Sequence, residues 1–303
     1  MHPSGEQHEL IRGDQRAVVV EVGGGIRVYE VAGRDVLDSY PADAICDGAH
    51  GTPLIPWPNR LGDGRYSFDG ATYQLALTEP ERSNAIHGLL RWRPWGASER
   101  EPHRVVMTCA LHPSPGYPFA LEASVAYELR DDGLAVTIAA RNAGEHPCPF
   151  GAGQHPYLSA GAGAVLDACT LELAAGSRIR TDPERMLPVG REAVPGGELD
   201  FAAPRPLGAL QIDATVAELE RDADGLADVR LSRPDGAVAE LWADERFPYL
   251  EIFTGDSLAP GRRRRGLGVE PMTCPPNAFA SGEDLLRLDP GDRFAASWGV
   301  RLR

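Results

Sequence analysis

Between Leu121 and Leu129, and again between Leu134 and Ala140, apolar residues recur at every second position, and this alternation constrains the chain more than any other feature. Leu121, Ala123, Val125, Tyr127 and Leu129 share one face of an extended strand; Leu134, Val136, Ile138 and Ala140 repeat the pattern after Asp131-Asp132-Gly133. The spacing predicts a long two-stranded ribbon buried on one side.

Similar pairs run along the chain. Ala17 to Val22 and Ile26 to Val31 are Val-rich runs separated by Gly23-Gly24-Gly25, which reads as a hairpin turn and lacks the strand-then-helix setting of a phosphate loop. Arg65 to Phe68 and Ala71 to Leu75 flank Asp69-Gly70, a dipeptide suited to the positive φ angles of a type I′ turn. Val229 to Leu231 and Val238 to Trp242 flank Pro234-Asp235-Gly236, and further strands are expected at Tyr249 to Phe253 and Phe294 to Leu302. Helical patterning is confined to a short turn expected over Ala214 to Leu219, and 34 glycines with 26 prolines oppose long helices. Val194 to Pro206 reads as a long loop. The expectation is an all-β fold, one large β-sandwich domain over residues 1–303 with long loops and few short helices.

Composition removes several function classes. With 43% hydrophobic and 24% charged residues the chain has the balance of a soluble folded protein, not of a disordered or membrane one. Acidic residues outnumber basic ones 44 to 30, which repels nucleic acid and anionic membrane surfaces. Every basic residue is arginine, so Schiff-base chemistry on a lysine is excluded. Cys46, Cys109, Cys148, Cys169 and Cys274 are odd in number, scattered and without a C-x-x-C pair; they read as small core residues, and neither a disulfide frame nor a zinc site is expected. Met1 to Arg16 has no apolar core and no stretch has the length of a membrane span, so a cytoplasmic location is expected.

Four polar stretches interrupt the strand pattern: Pro58-Asn59-Arg60, Asn84-Ala85-Ile86-His87-Gly88, Gln154-His155-Pro156-Tyr157 and Val269-Glu270-Pro271-Met272. Glu270 precedes a proline, which favours extended geometry and a side chain projecting from a strand end; a plain surface glutamate is the alternative. His155 also precedes a proline and follows Gly151-Ala152-Gly153-Gln154, where a ligand or another backbone can approach closely; the alternative for His155 and for His87 is a core histidine bonded to a carbonyl. His2, His8, His50, His103, His112 and His146 receive no role. Arg60 lies in a proline-dense segment able to present polar groups to sugar-like hydroxyls, or caps a turn at the surface. Trp57, Trp92, Trp95 and Tyr157 offer flat faces for a sugar ring, or fill a β core. The run Arg262 to Arg265 reads as a solvated loop offsetting the acidic balance.

Taken in order, Pro58-Asn59-Arg60-Leu61, Gly64 to Gly70, Asn84 to Gly88, His155-Pro156-Tyr157 and Val269-Glu270-Pro271 resemble the aldose 1-epimerase (galactose mutarotase) family across nearly the whole chain. Glu270 to Pro276, reading Glu-Pro-Met-Thr-Cys-Pro-Pro, is similar to a bacterial subgroup of it. The resemblance implies a galactose mutarotase-like supersandwich with an open groove, a sugar substrate, His155 as general acid and Glu270 as general base. It further implies that Arg60 and His87 contact sugar oxygens, that Asn59 lines the same wall, and that Asp213 binds hydroxyls. Two features depart from the family pattern: Gly88 is followed by Leu89 instead of a second glycine, and no aromatic stands near Val216.

Anomer exchange needs one base for the anomeric hydroxyl and one acid for the ring oxygen, hence no cofactor and no metal. Three other chemistries remain open at this level. A glycoside hydrolase would use Asp213 with Glu270 as its two carboxylates. A hexose-phosphate epimerase would read the phosphate with Arg60, Arg91, Arg93 or the Arg262 to Arg265 run. A non-catalytic sugar-binding protein would keep the groove alone. The sequence does not fix the oligomeric state.

Overall fold

A computed structural model describes residues 1–303. It is all-β: two large antiparallel sheets, several two-stranded ribbons and a four-stranded N-terminal sheet, with a single four-residue α-helix at Ala278–Ser281. No helix is long and apolar enough to cross a membrane.

The nine-stranded sheet runs in the order 96–101, 104–111, 121–130, 133–142, 293–302, 238–243, 227–232, 170–173, 201–206. The alternating ribbon lies near its middle, with Val125 opposite Ile138 and Tyr127 opposite Val136. All nine apolar residues of that pattern are buried in the main core, beside Phe294, Ala296, Trp298 and Val300 of the closing strand. The Asp69-Gly70 hairpin forms with both turn residues at positive φ, +48° and +78°, as a type I′ turn requires.

The second sheet has eight strands: β1 (Pro53–Leu54), β2 (Gly153–Gln154), β3 (Tyr157–Ser159), β4 (Ala175–Thr181), β5 (Pro188–Ala193), β6 (Asp213–Leu219), β7 (Tyr249–Phe253) and β8 (Gly266–Met272). Its order is β5-β4-β6-β7-β8-β2-β1, and β3 also pairs with β8. Leu158, Val216, Leu250, Ile252, Leu267 and Val269 point into the shared core. The residues alternating with them face the other way, under the loops that precede β1 and connect β1 to β2.

Two sequence expectations fail here. Ala214 to Leu219 is no helical turn but most of β6, paired on one side with β4 and on the other with β7. Neighbouring strands on both sides outweigh a weak local preference in six residues. The stretch Val194 to Pro206 is not all loop either: Phe201–Pro206 pairs with Thr170–Leu173 at the sheet margin, where Pro204 and Pro206 are tolerated because one side of an edge strand needs no ladder bonds.

Candidate active site

Three adjacent strands build the floor. Thr215 on β6 lies opposite Glu251 on β7, and Glu251 lies opposite Glu270 on β8, so these side chains occupy one rung on the face turned from the core. One step along, Asp213 faces Phe253, Phe253 faces Gly268, and Gly268 faces Tyr157 on β3. A Cβ at Gly268 would lie 3.4 Å from the Tyr157 ring and 3.2 Å from Phe253 Cβ, so the glycine lets both aromatics close over the strand. Pro271 holds Glu270 in extended geometry within β8, as its place before proline predicts.

The wall comes from loops. Asn59 and His87 both adopt the left-handed backbone region, at φ +53° and +61°, and lock each other: the His87 N–H donates to the Asn59 carbonyl (2.9 Å), and the Asn59 N–H donates to His87 Nδ1 (3.2 Å). Positive φ is uncommon outside glycine, with Asn and His among the residues that accept it most readily, and it persists where the surroundings enforce it. Gly88 follows at φ +71°, and a Cβ there would meet the Ile55 carbonyl oxygen at 2.1 Å, so only glycine lets this turn seat against β1. Arg60 forks onto Glu79 through Nε and Nη2 at 3.0 to 3.2 Å, and Asn84 Nδ2 donates to the same carboxylate at 2.9 Å.

The result is a cavity of about 240 Å³ lined by Asn59, Arg60, His87, His155, Tyr157, Asp213 and Glu270, together with Glu79, Arg91, Phe253, Ser257 and Leu258. All seven residues singled out from the sequence reach this one cavity. It is smaller than pockets for drug-sized ligands, which suits a single sugar ring. A larger groove of about 730 Å³ lies against the strands of the other sheet, lined by Thr108, Glu122, Ser124, Ala139, Arg141 and Arg293 among others; it contains no histidine and none of the motif residues, so volume alone does not mark the site.

At the cavity's base His155 Nε2 and Glu270 Oε1 are 3.0 Å apart, with both side chains buried. His155 Nδ1 and Glu270 Oε2 are buried and make no hydrogen bond within the protein. Buried polar atoms without partners are uncommon and call for an explanation such as a catalytic role or a ligand. His155 is fixed through its neighbour Gln154, which donates to the Gly51 carbonyl (2.9 Å) and the Tyr127 hydroxyl (2.8 Å) and accepts from Trp298 Nε1 (3.0 Å).

The two histidines differ in environment. Burial, and after it the nearby Arg91, His155 and Arg60, push His87 well below the ordinary imidazole range, so it is neutral. Since its Nδ1 accepts the Asn59 N–H, the proton sits on Nε2, which is then a hydrogen-bond donor. His87, His155 and Glu270 have ligand atoms within 4.8 Å of one another, the spacing of a metal cluster. The His87 tautomer does not fit that use, because one ring nitrogen is bonded to backbone and the other carries the proton.

Several contributors carried no readable signal. Glu251, 4% exposed, is pushed well above the carboxylate range, first by burial and then by Asp213 and Glu270, while Thr215 Oγ1 donates to it. His50, assigned no role from sequence, stacks on Tyr157 at 3.9 Å between ring centroids, and Tyr157 stacks in turn on His155 at 4.7 Å. The Tyr157 hydroxyl donates to the Gly48 carbonyl at 2.7 Å.

The arginine run is not the solvated loop expected of it. Arg262 reaches the buried Asp38 carboxylate (2.9 Å), beside His50, and Arg264 pairs with Asp256 and Asp167; Arg263 and Arg265 are the exposed members. Buried Asp38 and partly buried Asp256 supply the countercharge that draws two guanidinium groups inward. None of the four lines the cavity. Trp57 and Trp95 are core residues and Trp92 is exposed, so of the candidate aromatic platforms only Tyr157 lines the cavity. Cys148, Cys169 and Cys274 are buried as expected, whereas Cys46 and Cys109 are only half-buried.

Residues 6–300 match the family model described as aldose 1-epimerase. An uncharacterized Escherichia coli K12 protein, YihR, is 36% identical over 292 residues, covering 96% of this chain and 91% of YihR. The aldose 1-epimerase of Escherichia coli K12 is 24% identical over 274 residues, covering 81% of this chain and 78% of that enzyme. Among solved structures, the GalM/aldose epimerase homologue of Caenorhabditis elegans superposes with a TM-score of 0.86 at 16% identity over 98% of both chains. A galactose mutarotase-like protein from Clostridium acetobutylicum gives 0.84 at 17% identity, covering 97% of this chain and 94% of its own. With a family model matched from residue 6 to residue 300, a mutarotase-like fold and the motif residues gathered in one cavity, the chain belongs to the aldose 1-epimerase family.

Proposed function

We propose that this protein is an aldose 1-epimerase that interconverts the α and β anomers of a hexose, with Glu270 as general base and His155 as general acid. The observation that carries the reading is the 3.0 Å contact between His155 Nε2 and Glu270 Oε1 in the base of a sugar-sized cavity. The two oxygens that exchange protons, O1 and O5, are both bonded to C1, so the acid and the base must lie side by side.

In the forward step Glu270 takes the proton from the anomeric O1–H, His155 gives a proton to O5, and the C1–O5 bond breaks to leave an open-chain aldehyde with a free 5-hydroxyl. Rotation about C1–C2 turns the other carbonyl face toward O5. On reclosure the neutral His155 removes the 5-hydroxyl proton and the protonated Glu270 returns a proton to O1, so the pair ends as it began. Neutral His87, with its donor Nε2–H, and Arg60, held by Glu79, supply hydrogen bonds to sugar hydroxyl oxygens; Asn59 and Asp213 offer further polar contacts, and Tyr157 its flat face.

The test follows the optical rotation of freshly dissolved α-D-glucose and α-D-galactose with and without protein. Faster approach to equilibrium supports the epimerase. Binding of sugar with no acceleration for any sugar would instead identify a binding protein.

A further inference from the structure

Apart from its contact with Glu270, the ring of His155 has no polar partner in the protein. Its main chain is fixed, since the His155 N–H donates to the Thr52 carbonyl (3.2 Å) and the His155 carbonyl accepts from the Gly51 N–H (2.8 Å). The imidazole is held differently: Nε2 faces the proposed base, and Nδ1 is buried without a hydrogen bond. A working histidine is commonly oriented by the bond that its second ring nitrogen makes, and here that bond is missing. Orientation therefore falls to the faces and edges of neighbouring rings. His87 stands edge-on at 5.4 Å between centroids, and Tyr157 lies nearly flat against His155 at 4.7 Å, 13° from parallel.

Tyr157 is backed in turn by His50, 3.9 Å away and 12° from parallel. His50 is 2% exposed and does not line the cavity, yet both of its ring nitrogens are engaged. Nδ1 lies 2.8 Å from the Asp47 carbonyl, which can only accept, so the proton on Nδ1 is fixed. Nε2 lies 2.9 Å from Arg262 Nη2 and 3.2 Å from Asp38 Oδ2. Arg262 is itself anchored on the Asp38 carboxylate (2.9 Å) and the Ser39 carbonyl (2.7 Å), and the Asp38 N–H donates to the Tyr157 carbonyl (2.8 Å). The His50 ring is thus clamped by its edges while its face supports Tyr157. Burying a carboxylate and a guanidinium around one imidazole gains little stability over apolar packing, but it fixes the plane of that ring.

We infer that His50 is a positioning residue for the proposed acid: clamped by Asp47, Arg262 and Asp38, it backs Tyr157, and Tyr157 sets the plane of the His155 imidazole. This rests on the epimerase reading, in which His155 delivers a proton to O5. The bond from the Tyr157 hydroxyl to the Gly48 carbonyl fixes one end of the tyrosine ring and leaves its tilt to the stack. Proton transfer needs the donor nitrogen within hydrogen-bond reach of its target, and a misplacement of about 1 Å can cost on the order of 10²-fold in rate. Arg262 then serves the site from behind, without lining it.

The experiment compares wild type with His50→Phe, which keeps a ring and loses the polar clamp, His50→Gln, which keeps polar groups and loses the ring, and His50→Ala, which loses both. Anomer exchange is measured on α-D-glucose and α-D-galactose well below each variant's melting temperature, so that kcat refers to folded protein. The His155 ring protons, shielded by the face of Tyr157, are followed by NMR on histidine-labelled protein as a readout independent of turnover. His50→Ala and His50→Gln should lower kcat by about 10- to 100-fold and shift the His155 signals. His50→Phe should stay within about 3-fold of wild type with those signals nearly in place, although its melting temperature falls with the lost hydrogen bonds. Unmoved His155 signals in His50→Ala, turnover of His50→Ala and His50→Gln near that of wild type, or a His50→Phe as impaired as His50→Ala overturns the positioning role and leaves the epimerase standing. Absence of exchange by wild type with both sugars overturns the epimerase reading and this inference with it.

Discussion

Glu251 and Glu270 face each other directly across β7 and β8, two carboxyl groups on one buried rung of a sheet. The sheet separates their situations: Thr215 Oγ1 donates to Glu251 from β6, whereas His155 stands against Glu270. Burial, and then Asp213 and Glu270, hold Glu251 well above the carboxylate range, which disfavours a second charge beside the proposed base.

A pH dependence of stability follows from Glu251. A carboxyl whose proton affinity is higher folded than unfolded contributes stability in full below the unfolded value of roughly 4.3, and loses it as pH rises toward the folded value. Glu251→Gln cannot ionise and keeps an acceptor for Thr215. Its stability relative to wild type should therefore improve steadily as pH rises from acid into the neutral and alkaline range. Urea unfolding at a series of pH values measures this; a difference that does not change with pH contradicts it.

His87 should act in the opposite direction. Its folded-state proton affinity is depressed, so its contribution is present above the unfolded value of roughly 6.5 and is lost as pH falls from there through the folded value. His87→Gln, without a titrating ring, should lose less stability than wild type between pH 7 and pH 5. Thermal melts across that interval provide the comparison.

The stack of His50, Tyr157 and His155 separates packing from hydrogen bonding. Tyr157→Phe keeps the rings in place and removes the bond to the Gly48 carbonyl, so it should cost about 1 kcal/mol of stability with turnover within a few-fold of wild type. Tyr157→Ala removes the ring between two imidazoles and should cost about 3–5 kcal/mol, with a lower kcat as His155 loses its support. Denaturant unfolding and steady-state rates on the two variants test the distinction.

Much of this was readable in the sequence, for identifiable reasons. Alternation at Leu121 to Ala140 encodes a strand pair because side-chain period two has no helical equivalent, and Asp69-Gly70 encodes a turn because few residue pairs accept its backbone angles. The wall and floor of the site were legible as motifs in which prolines and glycines fix backbone around His87, His155 and Glu270. Partners joined only by the fold were not legible. Glu251 reads as an ordinary strand glutamate until β6 and β8 flank it, and His50 acquires its neighbours Asp38, Tyr157 and Arg262 from segments up to 212 residues away. Arg262 and Arg264 looked like solvated charge because the carboxylates that draw them inward are remote or unremarkable in sequence. The strand at Asp213–Leu219 was missed because its short alternation carries little weight without its neighbours.

The most direct measurement of the central claim is the rate of anomer exchange catalysed by folded Glu270→Gln against wild type, with the sugar that wild type turns over best. A positioned general base contributes about 10²- to 10⁴-fold, so kcat should fall by that factor while the unfolding transition stays cooperative. Exchange within a few-fold of wild type would contradict the assignment of Glu270 as the base and, with it, the pairing with His155 on which the mechanism rests.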